Sequence, residues 1–542
     1  MLQPQNAPKK YDHLFADIES GRMKIPKFQR DFVWTKVQTA SLVDSIIKGF
    51  PIGTFIFWKT REEMRHFKDI GNIRLPDVPK GDAVLYVLDG QQRITSLYAV
   101  RKGARITKDG KEEDYKRISI NLAVDPDEDE QVVTPEPPGN GAPYITVHKL
   151  LTGTIAELAK EYGDHLDRIS TYQRRLTGYD FSTILIEEYP IDVACEVFTR
   201  INTGGTELTL FEIMVAKMFD QARDFDLARE YDRLLDSNGE EKDLEDVSFD
   251  TLPPATVLQC VAAHLSQRVR RKDVLKLDKT KFIEAWPTVK DGIFAAVDWV
   301  RGQLRIPVSR LLPYSSLLVP LTYFFIRNDG KPPSSRQNKL LVQYFFWAAL
   351  SHRYTSGVEN KLAQDLERMD RILKGELPSY HGEEVQVSLD DLKQCWFSTG
   401  DSFCLAILCL YAYHQPKSFA DNSLVKLGND WLKVAQSRNY HHFFPKKFLK
   451  SQGYEEWEAN SILNITLVDA YLNKHRIRAK APSDYIREFQ KANDELEATM
   501  RSHLIGDLDA FGVWADDYPR FLEKRGQRVL AEIEKRLHPN VS

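Results

Sequence analysis

The feature that most constrains the fold is an unbroken apolar run that leads into a tight turn and then into a helical pattern. Residues Val84–Leu88 read VLYVL, which is typical of a strand buried on both faces. The Asp-Gly pair after this run is a turn signal and by itself would favour a hairpin. The next apolar residues, Ile94, Leu97 and Tyr98, have helical spacing, so the sequence predicts a strand, a tight turn and a helix.

The whole chain predicts an α+β fold that is rich in helices. Its 542 residues correspond to roughly two to four folding units. Strand and helix patterns mix in residues 1–225, long helical periodicities dominate residues 226–420, and residues 421–542 combine a basic segment, a strand-like piece and helices. An acidic stretch rich in Pro and Gly, residues 125–143, predicts a long solvated loop within the first domain.

Composition excludes several classes of protein. The formal net charge is −4, so no global positive charge for nucleic acid or a membrane surface is present and any basic site is local. The five cysteines form no C-x-x-C pair, which argues against a disulfide framework and a zinc knuckle. The most apolar stretch, Phe403–Tyr413, is too short to span a bilayer, and the first residues have no apolar signal core. We therefore expect a cytoplasmic protein without a membrane partner.

The turn after the predicted strand has the chemistry of a phosphate site. The start of a helix presents free backbone N–H groups and the positive end of the helix dipole. The guanidinium of Arg93 suits phosphate oxygens, Asp89 could hold a metal ion or orient a water molecule, and Gly90 lets a ligand approach the backbone. Many such turns carry polar residues only to cap the helix, so this motif alone is weakly specific.

Two further segments strengthen the hypothesis of a nucleotide site. The segment IPKFQRDFVW supplies Gln29 and Arg30 just before a predicted helix, although an arginine there could equally form a surface ion pair. The segment FTRINTGGT supplies Asn202 and a backbone nest at Gly204 and Gly205.

Four motifs between residues 25 and 213 resemble, in order and approximate spacing, the N-terminal domain of the GmrSD-type, modification-dependent (type IV) restriction endonucleases. They are IPKFQRDFVW, LVDSIIKGFPIGTFIFW, VLDGQQRITSLYAV and FTRINTGGTELTLFEI. The resemblance implies a fold related to ParB and sulfiredoxin and a module that binds and hydrolyses a nucleoside triphosphate, with Asp89 in a catalytic role. It does not say whether that nucleotide is GTP, ATP or another. The nucleotide-binding residues that it implies are Gln29, Arg30, Asp89, Gly90, Gln91, Gln92, Arg93, Asn202, Gly204 and Gly205.

Farther along the chain, two histidines and two asparagines have the spacing of an HNH, or His-Me finger, nuclease. His441 and His442 are adjacent, and Asn464 and Asn473 follow. Hydrolysis of a phosphodiester needs a base for water, and His titrates close to neutral pH. It also needs a divalent cation, Mg²⁺ or Mn²⁺, which Asn and His can anchor. The alternative is that one His is buried and hydrogen-bonded while the other is solvated.

This second resemblance implies a ββα-metal nuclease domain with flanking helices. It makes His442 the general base and Asn464 the residue that braces the loop and orients that base. It makes His441 and Asn473 metal ligands, although neighbours on a regular strand face opposite ways and could share a site only at a strand end or bend. Residues 430–480 contain nine Lys and Arg against five Asp and Glu, as expected where a DNA backbone docks. The expected DNA-binding residues are Lys446, Lys447, Lys474 and Arg476.

Together the motifs predict a nucleotide-regulated, metal-dependent DNA endonuclease of antiviral defence that cuts or nicks modified foreign DNA. The expected partners are double-stranded DNA, in particular modified phage DNA, and a nucleoside triphosphate, while the sequence leaves open a homodimer. One alternative is a nickase of a phosphorothioate-sensing system. Another is a non-catalytic, ParB-like switch that binds DNA in response to a nucleotide. A sulfiredoxin-like thiol enzyme is disfavoured because no suitable Cys lies near Asp89–Arg93.

Overall fold

A computed structural model describes most of the chain. The described residues are 3–62, 64, 66–67, 69–71, 73–79, 81–108, 110–124, 131–139, 141–201, 208–380, 382–429, 440–468 and 472–540, with the side chains of residues 192 and 473–475 left out.

Contacts along the chain divide it into two compact units, Met1–Leu227 and Ala228–Ser542. Both helices and strands are present, and helices predominate, which confirms the mixed α+β class. The second unit contains the predicted helical region and the predicted nuclease region together. The finer assignments, a ParB-like domain and an HNH domain, stay predictions.

The first unit alternates short strands with helices of up to twelve residues. Its strands are β1 (Gln5–Asn6), β2 (Lys9–Lys10), β3 (Met23–Lys24), β4 (Phe55–Thr60), β5 (Asp69–Ile70), β6 (Ile73–Arg74), β7 (Val84–Asp89), β8 (Arg105–Lys108), β9 (Lys111–Asp114), β10 (Ser119–Asn121), β11 (Val133–Thr134), β12 (Tyr144–Thr146), β13 (Asp180–Phe181) and β14 (Thr183–Glu187). Its helices are α1 (Tyr11–Glu19), α2 (Lys36–Ile47), α3 (Gln91–Lys102), α4 (Val147–Thr152), α5 (Ile155–Tyr162), α6 (Leu166–Thr177), α7 (Ile191–Ile201) and α8 (Leu210–Met218).

The main sheet has five strands in the order β1-β14-β4-β7-β3. Strand β7 is the predicted VLYVL strand, and it lies between β4, which is antiparallel to it, and β3, which is parallel to it. The predicted turn and helix follow at once as Gly90 and α3. The neighbouring strand β4 covers Phe55–Thr60.

Capping boxes set the starts of two helices of the first unit. Thr35 caps α2 in a capping box with Gln38, and Thr209 caps α8 in a capping box with Glu212.

Part of the stretch at residues 125–143, which was predicted as a long solvated loop, packs against the core, and residues 125–130 and 140 lie outside the described residues. Val132 and Val133 are fully buried, and their backbone N–H groups donate to the carboxylate of Asp44 in α2. Strand β11 then pairs with β10. Local composition favoured a loop, but two adjacent valines bury enough apolar surface to hold this piece against the core.

The second unit begins as an array of helices and ends in a smaller mixed region. Its helices are α9 (Leu227–Leu235, which begins at the boundary), α10 (Pro254–Ser266), α11 (Arg271–Val274), α12 (Lys279–Gln303), α13 (Leu318–Arg327), α14 (Ser335–Leu350), α15 (Val358–Leu373), α16 (Leu389–Gln394), α17 (Ser402–Tyr413), α18 (Lys446–Ser451), α19 (Glu456–Ala459), α20 (Pro482–Gln490), α21 (Leu496–Ser502) and α22 (Tyr518–Leu537). Two strands, β15 (Tyr440–His442) and β16 (Ile465–Leu467), pair in an antiparallel manner.

The most apolar stretch forms α17, and almost every residue of that helix is buried. Over the described ranges, no helix combines the length and the apolar character needed to cross a lipid bilayer.

Candidate functional site

The turn between β7 and α3 depends on a glycine. Gly90 has φ +95°, and a Cβ at this position would stand 2.2 Å from the ring of Phe55 on β4. A side chain would therefore clash as well as strain the backbone. The absence of a side chain lets α3 begin directly after β7.

The guanidinium of Arg93 braces this turn from within the protein. It donates to the carbonyl oxygens of Ile52 at 2.7 Å and Thr54 at 3.0 Å, and to the carboxylate of Asp89 at 2.8 Å. The Asp89 side chain keeps about a third of its surface exposed, whereas Arg93 is mostly buried. In this arrangement Arg93 ties the end of β7 to the segment before β4, and a direct phosphate contact by Arg93 stays a prediction.

Two glutamines join the DGQQR turn to the distant FQR segment. The side-chain oxygen of Gln92 accepts from the backbone N–H groups of Val33 at 2.9 Å and Trp34 at 3.3 Å, and its amide donates to the carbonyl of Asp31 at 3.0 Å. Gln29 reaches the other way and donates to the carbonyl of Val87 in β7. Both glutamines are buried, so this network fixes the loop over the helix start.

Arg30 is the cation of the FQR segment that remains available to a ligand. It is exposed, and within the described part of the chain it makes no hydrogen bond or ion pair. Its neighbour Phe28 packs against Phe198 of α7, with ring centroids 4.9 Å apart. Helix α7 leads to the predicted Gly-Gly nest, but Asn202, Gly204 and Gly205 lie outside the described residues.

The second candidate site is built on the β15–β16 hairpin, which Asn464 holds together. Asn464 is fully buried. Its side chain accepts from the N–H of Phe444 at 2.8 Å and donates to the carbonyls of Phe444 and Ala459, both at 2.9 Å. These bonds join Phe444, just after the histidine strand, to Ala459. They are the contacts expected of a residue that braces the loop after that strand.

His442 points into the hairpin cleft and is oriented by a residue that the sequence did not reveal. Nε2 of His442 lies 2.8 Å from Oδ1 of Asn460. The Asn460 amide nitrogen donates to the carbonyl of Phe397 at 3.2 Å, so its oxygen must face the ring. This network assigns the proton to Nε2 and leaves the lone pair of Nδ1 available as a base.

The imidazole of His442 is held in its uncharged form. Burial is the main cause, and it lowers the pKa of His442 to about 4, while the positive charge of Lys446 acts in the same direction and the hydrogen bond with Asn460 opposes them. A neutral imidazole at pH 7 is the form that can accept a proton.

The two adjacent histidines have different surroundings, although both belong to the wall of the same open cavity. His441 is buried, and its ring contacts those of Phe419 and Tyr485 at centroid distances of 6.2 Å and 6.0 Å. The strand is regular, with His441 paired to Thr466, so the two rings lie on opposite faces. The backbone of Asn473 belongs to a π-helical turn, Leu472–Ile477, but its side chain is not described.

The described residues therefore do not supply a complete set of ligands for a divalent cation. Among the described residues, no group of three or more His, Cys, Asp and Glu side chains is placed to hold a metal ion. Asn464 uses both ends of its amide on the backbone, and His441 faces the aromatic core. The described donor set does not fit a metal by itself, and a ligand role for His441 and Asn473 stays a prediction.

Basic side chains line the open cavity into which His442 points. The cavity has a volume of about 500 Å³, and Lys446, Lys447 and Arg478 lie in its wall. Lys446 is 3.5 Å from Glu456, whereas neither Lys447 nor Arg478 has an ion pair within the described ranges. The sequence did not single out Arg478. Predicted Arg476 lies over the ring of Phe489 instead, and the side chain of Lys474 is not described.

A buried arginine fixes the far side of the hairpin. Arg525 of α22 is fully buried and donates to the carbonyl oxygens on either side of Asn464, Leu463 at 2.6 Å and Ile465 at 2.7 Å. Its guanidinium also lies over the ring of Tyr411 in α17, 4.5 Å from the centroid. Helices α17 and α22 thereby set the position of β16, a role that no local sequence signal announced.

Comparison with known proteins gives two findings. Residues 11–219 match the family model described as GmrSD restriction endonuclease, N-terminal domain. The uncharacterized protein MJ0686 of Methanocaldococcus jannaschii is 23% identical, in an alignment that covers 95% of this chain and 96% of that protein. The similarity to MJ0686 thus extends over both units, whereas the family model covers most of the first. Residues 11–219 of the first unit are therefore similar to a GmrSD N-terminal domain.

Proposed function

We propose that the chain is a nucleotide-regulated DNA endonuclease of antiviral defence that uses a divalent metal and acts on modified foreign DNA in the cytoplasm. The first unit binds and hydrolyses a nucleoside triphosphate, and the second unit cleaves the phosphodiester. The match to a restriction endonuclease domain supports the defence and DNA parts of this proposal.

The observation that carries the proposal is the environment of His442. Its imidazole is neutral, its Nε2 is held by Asn460, and its Nδ1 is left as a base beside an open, basic cavity. A water molecule on Nδ1 could lose its proton to the ring as it attacks a phosphate that Lys447 and Arg478 attract. Few structural roles would require a partly buried, oriented and uncharged imidazole at the edge of a cationic cavity.

The proposed nucleotide site rests on the loop fixed by Gln29 and Gln92. That loop presents exposed Arg30 beside the start of α3, where backbone N–H groups favour anions. Arg93 holds the turn, and Asp89 keeps part of its carboxylate open to a water molecule or a cation. A triphosphate would therefore meet one free guanidinium and a helix N-terminus.

The nuclease assignment is tested with His442→Ala. The assay incubates plasmid DNA and DNA with modified cytosine with Mg²⁺ or Mn²⁺, with and without each triphosphate, and resolves the products on a gel. Loss of a general base is expected to slow cleavage by about 10²- to 10⁴-fold. The matched control is His538→Ala, an exposed His after α22, which should cut at the wild-type rate. An unchanged cleavage rate in His442→Ala would show that His442 is not the general base. Nucleotide-dependent binding of DNA without scission would favour the ParB-like switch.

The metal requirement is tested in the same assay. Cleavage is expected to stop with EDTA and to return when Mg²⁺ or Mn²⁺ is added. Asn473→Ala should raise the metal concentration needed for half-maximal cleavage. If EDTA leaves cleavage intact, the enzyme does not need the metal that the HNH resemblance implies.

The nucleotide site is tested with Arg30→Ala. Because Arg30 is exposed and has no partner among the described residues, its removal should weaken triphosphate binding without lowering the unfolding temperature. Arg174→Ala, at an exposed position in the last turn of α6, is the control for loss of charge. Equal triphosphate affinity in both variants would contradict the assignment.

A further inference from the structure

Two of the five cysteines lie against each other beside the hairpin region. The sulfur atoms of Cys395 and Cys404 are 3.0 Å apart, and the Cys404 thiol donates to the carbonyl of Trp396 at 3.1 Å. Cys404 is fully buried, whereas Cys395 is partly exposed. The pair is nine residues apart in sequence, without the C-x-x-C spacing that a sequence search detects.

The loop between the two thiols carries the partner of Asn460. The carbonyl of Cys395 accepts from the N–H of Ile462 at 2.9 Å, and the N–H of Phe397 donates to the carbonyl of Asn460 at 2.8 Å. The carbonyl of Phe397 accepts in turn from the Asn460 side chain. The thiol pair therefore closes the short loop, residues 395–404, whose backbone holds residues 460–462.

We infer that Cys395 and Cys404 form a dithiol that hydrogen peroxide converts into an intramolecular disulfide. The Cys395 sulfur attacks one peroxide oxygen, which breaks the O–O bond, releases one water and leaves a sulfenic acid. The Cys404 sulfur then attacks the Cys395 sulfur, and the hydroxyl leaves as the second water. The two thiols lose two protons and two electrons, and the peroxide takes up both.

The geometry requires little movement for this step. A disulfide bond is about 2.05 Å long, so the sulfur atoms must approach by only about 1 Å. The loop can therefore keep its hydrogen bonds to residues 460–462 in the oxidised form. The access route is through Cys395, since the Cys404 sulfur is covered.

The reaction is expected to be slow. The hydrogen bond with Cys404, together with burial, raises the pKa of the Cys395 thiol, so the reactive thiolate is scarce at neutral pH. Formation over minutes to hours, on the order seen for uncatalysed thiol chemistry, is expected at millimolar peroxide.

The test uses the full chain, reduced with dithiothreitol, freed of reductant and exposed to hydrogen peroxide. Remaining thiols are then alkylated in denaturant, and the protein is digested without reduction for mass spectrometry. The expected product is a peptide cross-linked between Cys395 and Cys404, two hydrogen masses lighter than the two thiol peptides and absent after dithiothreitol. Cys195, Cys260 and Cys409 should be recovered as alkylated thiols.

Matched variants separate the pair from other thiols. Cys404→Ser should lose the cross-link completely, and Cys395→Ser gives the same result from the other side. Cys409→Ser, in the same helix, should retain it, because the Cys409 sulfur donates to the carbonyl of Leu311 instead. Oxidation should also raise the unfolding temperature of the wild type and of Cys409→Ser, but not of Cys404→Ser. If all five cysteines remain alkylatable after peroxide, or if the cross-link joins a different pair, the inference is wrong.

Discussion

The substitution Asn460→Asp tests how the cleft controls the proton on His442. The carboxylate would occupy the position of the amide oxygen, 2.8 Å from Nε2, and would still accept the ring proton. It would also place a negative charge beside the imidazole. A negative charge stabilises the imidazolium form, so the pKa of His442 must rise from its present value of about 4.

The size of the rise follows from two estimates that agree. An opposite charge within hydrogen-bonding range shifts a pKa by about 1–3 units. Two unit charges about 4 Å apart attract by about 4 kcal/mol at an effective dielectric constant of 20, and this corresponds to about 3 units. We therefore expect the pKa of His442 in the variant to lie at about 5–7.

The assay is an NMR titration of the imidazole Cε1–H signals, with the His442 signal assigned by its loss in His442→Gln. If the nuclease proposal is correct, cleavage by Asn460→Asp should also fall as the pH drops from 8 to 6, by up to about tenfold, as the base becomes protonated. Asn540→Asp, at an exposed position, is the control and should leave the His442 midpoint near 4. A folded Asn460→Asp variant with an unchanged midpoint would refute the proposed hydrogen bond and the tautomer derived from it.

Three further predictions concern stability. Gly90→Ala should lower the stability of the chain to denaturant more than Gly81→Ala. Both glycines have φ near +90°, but only a Cβ at residue 90 would meet Phe55. Equal losses of stability in the two variants would contradict the clash. Asn464→Ala leaves three buried backbone groups without their partner and should cost about 3–6 kcal/mol in urea unfolding, and a loss below about 1 kcal/mol would refute its bracing role. In His503→Gln, the unfolding temperature should fall less steeply than in the wild type as the pH is lowered. Complete burial lowers the pKa of His503 to about 3, so below about pH 6.5 the unfolded chain binds a proton that the folded chain excludes, and wild-type stability falls down to about pH 3. Parallel curves for the two proteins would contradict this account.

Local patterns predicted the strand, the turn and the helix of the first candidate site because these elements are contiguous in sequence. The VLYVL strand, the Gly90 turn and α3 follow one another, and each is set by short-range chemistry. What the sequence did not show is how the glutamines act. Gln92 binds a loop some sixty residues away, and only the folded sheet brings that loop above the helix start.

At the second candidate site, more of the important contacts could be found only from the structure. The spacing of His442 and Asn464 predicted a base and a brace, and the structure gives Asn464 the contacts of a brace. Asn460 and Arg525 were missed because their roles depend on partners 18 and 60–62 positions away, on separate elements. The burial of His441 was anticipated only in the alternative in which one His is buried and hydrogen-bonded while the other is solvated.

Because β16 depends on Arg525, this strand can reach its final position only late in the synthesis of the chain. The carbonyl groups of Leu463 and Ile465 leave the ribosome some sixty residues before the guanidinium that binds them. Domains fold as the chain emerges from the ribosome, and the N-terminal domain folds first. The nascent protein can therefore complete its first unit early, while the strand pair that carries His442 stays unfinished until α22 has been made.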